Sequence, residues 1–226
     1  MSATTPSSSE RCRGSAAYPW LKERIDGYLA LVVLVAAAPL FALIGMLIRW
    51  DSPGPVFFRQ TRAGRRGRPF TLLKFRTMRS EVDPYGDSPQ DAGDPRITRT
   101  GRFLRETSLD ELPQLLNVLA GDMSLVGPRP LYVQQMTEWN ERQRKRLLVK
   151  PGLTGLAQIH GRGSLTLEDK LQWDVCYAES ASLATDVRVI AATLRNLVRR
   201  GDIYEKRYSR TRARRQDATR PADDPA

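Results

Sequence analysis

The hydrophobic pattern divides this chain unevenly. From Gly27 to Ile48 no charged residue occurs, and Tyr28 to Leu47 is almost wholly apolar. A helix of about 20 such residues is long enough for the hydrocarbon core of a bilayer. Pro39 falls in the middle of the run. It donates no backbone hydrogen bond and its ring meets the carbonyl of Val35, so a kink or break is predicted there. Beyond a turn cluster at Asp51–Pro55, Val56–Gln60 and Pro69–Arg76 have strand composition, and Gly64–Gly67 would close them as a hairpin. Leu112, Leu115, Leu116 and Leu119 recur at helical spacing, which predicts a packed amphipathic helix. Pro113 fits only its first turn, and Gly121 suits its end.

Three more helices follow from the pattern. Trp139–Leu148 is short and basic, and Glu168–Ala178 puts Trp173 and Tyr177 on one face. Asp186–Arg200 gathers Val187, Ile190, Ala191, Leu194, Leu197 and Val198, with arginines elsewhere. That make-up suits a helix lying in a membrane interface, and equally a surface helix on a soluble core. Residues 80–96 carry Asp83, Asp87, Asp91 and Asp94 among Gly, Pro and Ser, the composition of a mobile acidic loop. Residues 1–17 and 206–226 are expected to be disordered tails. The expected class is α+β: a mainly helical, membrane-associated domain with a re-entrant helical hairpin over 18–50, a small β-hairpin, interfacial amphipathic helices and a folded domain over 51–205.

Charge sharpens the membrane reading. The formal net charge is +11 over 226 residues, which calls for an anionic partner. Arg11, Arg13, Lys22 and Arg24 precede the apolar run, and Arg49, Arg59, Arg62, Arg65, Arg66 and Arg68 follow it. Basic flanks stay on the cytoplasmic side. With both flanks basic, a hairpin that enters and leaves by one face is favoured over a span. Anionic lipids are the expected surface. The chain lacks aromatic-interleaved basic motifs, so nucleic acid is not expected. Two cysteines and one histidine exclude a disulfide framework and a multi-histidine metal site.

The candidate chemistry lies at Ser108-Leu-Asp-Glu-Leu-Pro113, where Asp110 and Glu111 stand side by side in a basic protein. Arg105 precedes them, and Arg129 follows in Gly127-Pro-Arg-Pro130. Paired acids among arginines suit metal-assisted chemistry on a phosphate. Ser108 and Glu111 also have the spacing of a helix capping box, a purely structural use. Lys74 and Arg76 are two residues apart, so on a strand they share one face. That face could hold a phosphate or simply meet solvent.

An ordered set of segments goes further. Asp51-Ser-Pro-Gly-Pro-Val-Phe-Phe-Arg-Gln60, Lys74-Phe-Arg-Thr-Met78 and Ser108-Leu-Asp-Glu-Leu-Pro-Gln-Leu115 are followed by Asn117-Val-Leu119, Gly121-Asp-Met-Ser-Leu-Val-Gly-Pro-Arg-Pro130 and Pro151-Gly-Leu-Thr-Gly155. Over residues 20–205 the chain resembles the bacterial sugar transferases, or monotopic phosphoglycosyl transferases, in their minimal catalytic form. The resemblance implies transfer of sugar-1-phosphate from a nucleoside-diphosphate sugar, usually a UDP-sugar, to polyprenyl phosphate, typically undecaprenyl phosphate, with release of UMP. This is the first membrane step of surface polysaccharide or glycoconjugate synthesis, on the cytoplasmic face of the bacterial inner membrane. It implies Mg2+, Asp110 as nucleophile and metal contact, and Glu111 as its assistant in metal binding or proton handling. Lys74, Arg76, Arg105, Arg129 and Arg162 become the cations for substrate phosphates. Two departures stand out. Ala38 precedes Pro39 where relatives often carry Ser, and Leu156-Ala-Gln158 with His160-Gly161 replaces the usual Trp-Ala-Gln and Asn-Gly. The competing reading is a non-catalytic, membrane-tethered basic protein that binds anionic lipid or nucleic acid. A third keeps the reaction but makes it a single displacement, with Asp110 only binding metal.

Overall fold

A computed structural model describes residues 18–83, 86, 89, 93–161 and 165–199. Its first element, helix α1, runs from Tyr18 to Asp51 and is about 51 Å long at 1.5 Å per residue. It does not break at Pro39. The proline is exposed, so its ring faces away from the domain, and packing continues to either side of it. Ala30 and Leu34 join Leu72, Leu115, Val118 and Met123 in one cluster. Leu40, Phe41, Ile44 and Ile48 join Phe75 and Leu104 in a second. The helix therefore lies along the domain and does not project from it. Full burial of a side chain such as Ile44 or Ile48 is worth roughly 1.5–3 kcal/mol, more than an exposed ion pair supplies.

Polar contacts fix both ends of α1 to the same domain. Near its start, Tyr18 and Lys22 donate to Asp186, and Asp26 accepts from Ser124 at 2.5 Å. At its end, Asp51 accepts from the Thr100 backbone N–H at 2.6 Å. The opposite side of the helix carries Trp20, Tyr28, Leu31, Val35, Met46 and Trp50, of which Val35 is 68% and Trp50 79% exposed.

Strands β1 (Phe57–Ala63) and β2 (Pro69–Phe75) pair antiparallel, Phe57 opposite Phe75 and Ala63 opposite Pro69. A one-turn 3₁₀ segment at Arg65–Gly67 joins them, with Arg66 at φ 57°. The hairpin is the one expected from composition, with β1 starting one residue later and running three residues past Gln60. Helix α2 (Arg99–Thr107) follows the acidic segment, capped by the Thr98 side chain on the Gly101 N–H. Next come a 3₁₀ turn over Leu109–Glu111 and helix α3 (Gln114–Leu119). Leu115 is buried as expected, and Val118, which the leucine spacing did not single out, is buried with it. Leu116 and Leu119 are exposed instead, flanking the α1 contact.

Strand β3 (Ser124–Val126) pairs in parallel with β4 (Gly152–Thr154). The expected helix at 139–148 is a single α-turn, α4 (Glu141–Arg144), continued by a 3₁₀ turn. Helices α5 (Leu156–His160), α6 (Leu167–Ser180) and α7 (Leu183–Arg199) complete the described chain. Trp173 and Tyr177, expected on one face of α6, are both buried. The tails, Arg162, Asp87 and Asp91 lie outside the described residues.

Candidate active site

Four sequence-predicted residues meet at one point. Lys74, next to last in β2, places Nζ 2.7 Å from Glu111 Oε1 and 3.9 Å from Asp110 Oδ2. Arg129 donates from Nη2 to the same Glu111 oxygen at 2.9 Å. Arg105 lies near enough to act electrostatically on Asp110, and its Nε donates to Thr77 Oγ1 at 2.9 Å.

Local structure explains each placement. Ser108 ends α2 in the left-handed region, at φ 58°, an uncommon conformation for a residue with a Cβ. That residue turns the chain into the 3₁₀ segment that presents both acids. The capping box does not form: the Ser108 side chain caps nothing, and Glu111 points to Lys74 and Arg129. Lys74 is held by Asn117 of α3, whose side chain accepts from the Leu73 N–H at 3.0 Å and donates to the Thr71 carbonyl at 2.8 Å. The buried amide thus substitutes for a neighbouring strand at the β2 edge and fixes α3 against it. Arg105 depends on Gly101, where a Cβ would stand 2.0 Å from the Thr77 carbonyl oxygen. Only glycine lets α2 approach Thr77 so closely.

Arg129 rests on a layered support. Gly127 N–H donates to the Thr154 carbonyl at 2.8 Å, and Gly152 N–H donates to Pro128 at 2.9 Å. A Cβ on Gly127 would lie 2.4 Å from the Lys150 carbonyl, so the Pro151-Gly-Leu-Thr-Gly155 segment backs the arginine loop. Arg146 donates to the Arg129 carbonyl at 2.6 Å and to Asp174 at 2.8 Å, in a buried ion pair. Sequence reasoning missed Asn117, Arg146 and Asp174 as supports. Asn117 did stand in a quoted segment, but nothing in the spacing of Arg146 and Asp174 pointed to a pair.

Arg76 is not part of this cluster. Its guanidinium donates to the carbonyls of Ser52 at 2.6 Å and Pro53 at 2.8 Å, and to Ser52 Oγ at 2.8 Å. It caps the C-terminal end of α1, where carbonyls lack helical partners. It lies just beyond β2, so the shared-face argument with Lys74 does not apply to it.

The two acids are electrostatically opposite. Burial pushes the Asp110 carboxyl above the usual range; Lys74 opposes this, and the neighbouring Glu111 charge adds to it. Burial also works against ionised Glu111, but Arg129 and Lys74 outweigh it and hold that carboxyl far below the usual range. Among the described residues Asp110 makes no hydrogen bond, and its one ion pair is the 3.9 Å contact to Lys74. Glu111 is paired with two cations through one oxygen, Oε1, and Asp110 is held beside it among positive charges. Such a pair suits attack on an electron-poor phosphorus whose oxygens the cations neutralise.

Among the described residues no third His, Cys, Asp or Glu joins the pair to make a protein metal cage. Mg2+ is usually bound by one or two carboxylates plus substrate phosphates and waters. Asp110 and Glu111 fit that donor set.

The family model for bacterial sugar transferases matches residues 17–200. The chain belongs to that family, and is an enzyme of the phosphoglycosyl transferase class. A Bacillus subtilis (strain 168) protein named "Uncharacterized sugar transferase EpsL" is 43% identical over 79% of this chain and 87% of its own length. A Caulobacter vibrioides UDP-glucose:undecaprenyl-phosphate glucose-1-phosphate transferase is 42% identical over 81% of this chain and 72% of its own. A Xanthomonas campestris pv. campestris protein of the same name is 46% identical over 74% of this chain but only 37% of its own length. Membership sets aside the non-catalytic reading.

Proposed function

We propose that the protein transfers sugar-1-phosphate from a UDP-sugar to undecaprenyl phosphate, or a similar polyprenyl phosphate, by double displacement through Asp110. The observation that carries this is the part-buried carboxylate of Asp110, which accepts no hydrogen bond among the described residues, beside a Glu111 paired with Lys74 and Arg129. An Asp110 oxygen attacks the phosphorus bonded to the sugar. The bond from that phosphorus to the bridging oxygen breaks, and UMP departs with the electron pair. A phosphosugar-aspartyl mixed anhydride remains. An oxygen of the lipid phosphate then attacks the same phosphorus, releasing Asp110 and giving polyprenyl-diphosphate sugar.

Lys74 and Arg129 set the charge around both steps, and Arg105 adds to it from α2. Arg162, outside the described residues, is a further candidate. Glu111 keeps Lys74 and Arg129 oriented through its two short bonds. Mg2+, bound by Asp110 and Glu111 with the diphosphate, would neutralise phosphate charge.

The same reading places α1 in the cytoplasmic leaflet of the inner membrane without crossing it. Both its ends are tied to one domain, and its packed stripe runs along β2, α2 and α3. A perpendicular span would carry those elements, with their polar loops, into lipid. The exposed stripe has Trp20 and Tyr28 at one end and Trp50 at the other, as interfacial anchors do. Exposed Phe103, Leu116 and Leu119 continue the apolar surface beside it, close to the elements that carry the acids.

Purified protein with undecaprenyl phosphate, Mg2+ and a panel of UDP-sugars should release UMP only when lipid is present. No turnover with any nucleotide sugar would contradict the proposal. Cysteines placed at Ser2 and Ser209 should label from the same side of sealed vesicles, and labelling from opposite sides would contradict the topology.

A further inference from the structure

The hairpin that brings Lys74 to the acids carries a second positive site at its other end. There Arg65, Arg66 and Arg68 surround a cavity of about 330 Å³, joined by Lys150 from the segment before β4, with Asp122 the one acid in its lining. Pro69, at the turn, is five residues from Lys74, which on a strand is about 17 Å. The cavity is therefore separate from the reaction centre. Arg65 and Lys150 are partly neutralised by Glu23 of α1, at 3.4 and 3.2 Å. The side chains of Arg66 and Arg68 make no ion pair or hydrogen bond among the described residues. Arg66 has a left-handed backbone at φ 57° and is exposed. Among the described residues, Glu23 and Asp122 leave this site with a surplus of positive charge.

Two exposed apolar side chains lie beside this charged site. Glu23 stands one helical turn after exposed Trp20, and Arg65 donates to the carbonyl of Leu148, itself 60% exposed. A ligand with a phosphate beside a hydrocarbon chain satisfies both features. A free nucleotide or inorganic phosphate uses only the first. We propose that the cavity at the hairpin tip binds the headgroup of an anionic phospholipid through Arg66, Arg68 and Lys150. It would fix the start of α1 on the bilayer independently of the substrate lipid. The inference rests on the membrane-seated reading of α1.

The test uses the full chain in co-sedimentation with two kinds of vesicle: phosphatidylcholine alone, and phosphatidylcholine with phosphatidylglycerol in equal parts. The wild type should bind both, and the anionic vesicles more tightly. The double variant Arg66→Gln/Arg68→Gln should lose about thirtyfold in binding to anionic vesicles, at about one kcal/mol per basic residue near the surface. It should keep its binding to neutral vesicles and its turnover in detergent micelles. Arg79→Gln/Arg99→Gln removes the same charge from exposed positions at the other end of the hairpin and should lose far less. Equal losses in the two doubles would reduce the effect to net charge and overturn the site. So would saturable binding of inorganic phosphate with no preference for anionic vesicles. Wild-type protein that binds neither vesicle would overturn the seating of α1, and this site with it, while leaving turnover in detergent intact.

Discussion

Two clusters in this protein gather the same ingredients and use them differently. At the start of α1, Asp186 accepts from Tyr18, Tyr177 and Lys22, and Asp26 accepts from Ser124 and the Leu125 N–H. Both carboxylates there are saturated, and the cluster ties α1 to α7 and β3. At the proposed reaction centre, Lys74 and Arg129 both donate to one Glu111 oxygen, while Asp110 accepts no hydrogen bond among the described residues. Buried acids with basic partners are therefore no sign of catalysis by themselves. The informative feature is the carboxylate that the fold desolvates and then leaves without a donor.

Substitutions should separate the two clusters, and the largest effect belongs to Asp110. Asp110→Asn should cost about 10³-fold or more in turnover, the scale on which loss of a covalent nucleophile is felt. Its thermal midpoint should hold or rise, because a desolvated charge beside Glu111 is removed; calorimetry with UMP-release kinetics checks both. Asp186→Ala should do the reverse. It leaves the Tyr18 hydroxyl without its acceptor and takes one from Lys22 and Tyr177, which keep Asp26 at 3.2 Å and the Val126 carbonyl at 2.9 Å, and should cost about 2 kcal/mol in denaturant unfolding. Turnover per folded molecule in detergent should change little.

Glu111→Gln falls between these, with losses in both stability and turnover. Weakening its two charge-assisted hydrogen bonds should cost about 2 kcal/mol at neutral pH. The sign of the pH dependence follows from its depressed carboxyl. The stabilisation is full above the unfolded glutamate value and is lost as pH falls through the lower folded one. The gap between Glu111→Gln and wild type should therefore close on acidification.

The smallest effect is in the pH–rate profile. Asp110 attacks only when ionised, and its pKa is raised, so the acid limb should lie above the usual carboxylate range. Lys74→Met removes a charge that favours ionised Asp110 and should move that limb further up. A downward shift would mean that Asp110 is not the titrating group.

Much of this was legible from residues alone, and the gaps have physical causes. The β-hairpin, α6 and α7 follow from local composition, and the Lys74, Asp110, Glu111 and Arg129 cluster from the ordered family segments. Periodicity failed where an apolar side chain has two possible destinations. Leu116 and Leu119 read as packed because apolar spacing does not distinguish a core from an exposed apolar surface. Pro39 read as a break because the pattern does not reveal that Leu34, Leu40 and Phe41 pack on the domain around it. Ser108 and Glu111 matched a capping box, but the tertiary cations Lys74 and Arg129 compete better for the glutamate. Arg76 and Lys74 matched in spacing, yet the open carbonyls at the end of α1 claim Arg76. Such partners come from distant parts of the chain and leave no local signature.

The central claim is that Asp110 is the attacking group. Its most direct measurement is mass spectrometry of the protein quenched after incubation with its UDP-sugar and Mg2+ but no acceptor lipid. The account predicts a mass increase of one phosphosugar, mapped to Asp110, released on addition of undecaprenyl phosphate and absent in Asp110→Asn. An adduct on Glu111 or another residue, or sustained lipid-dependent turnover by Asp110→Asn, would contradict it.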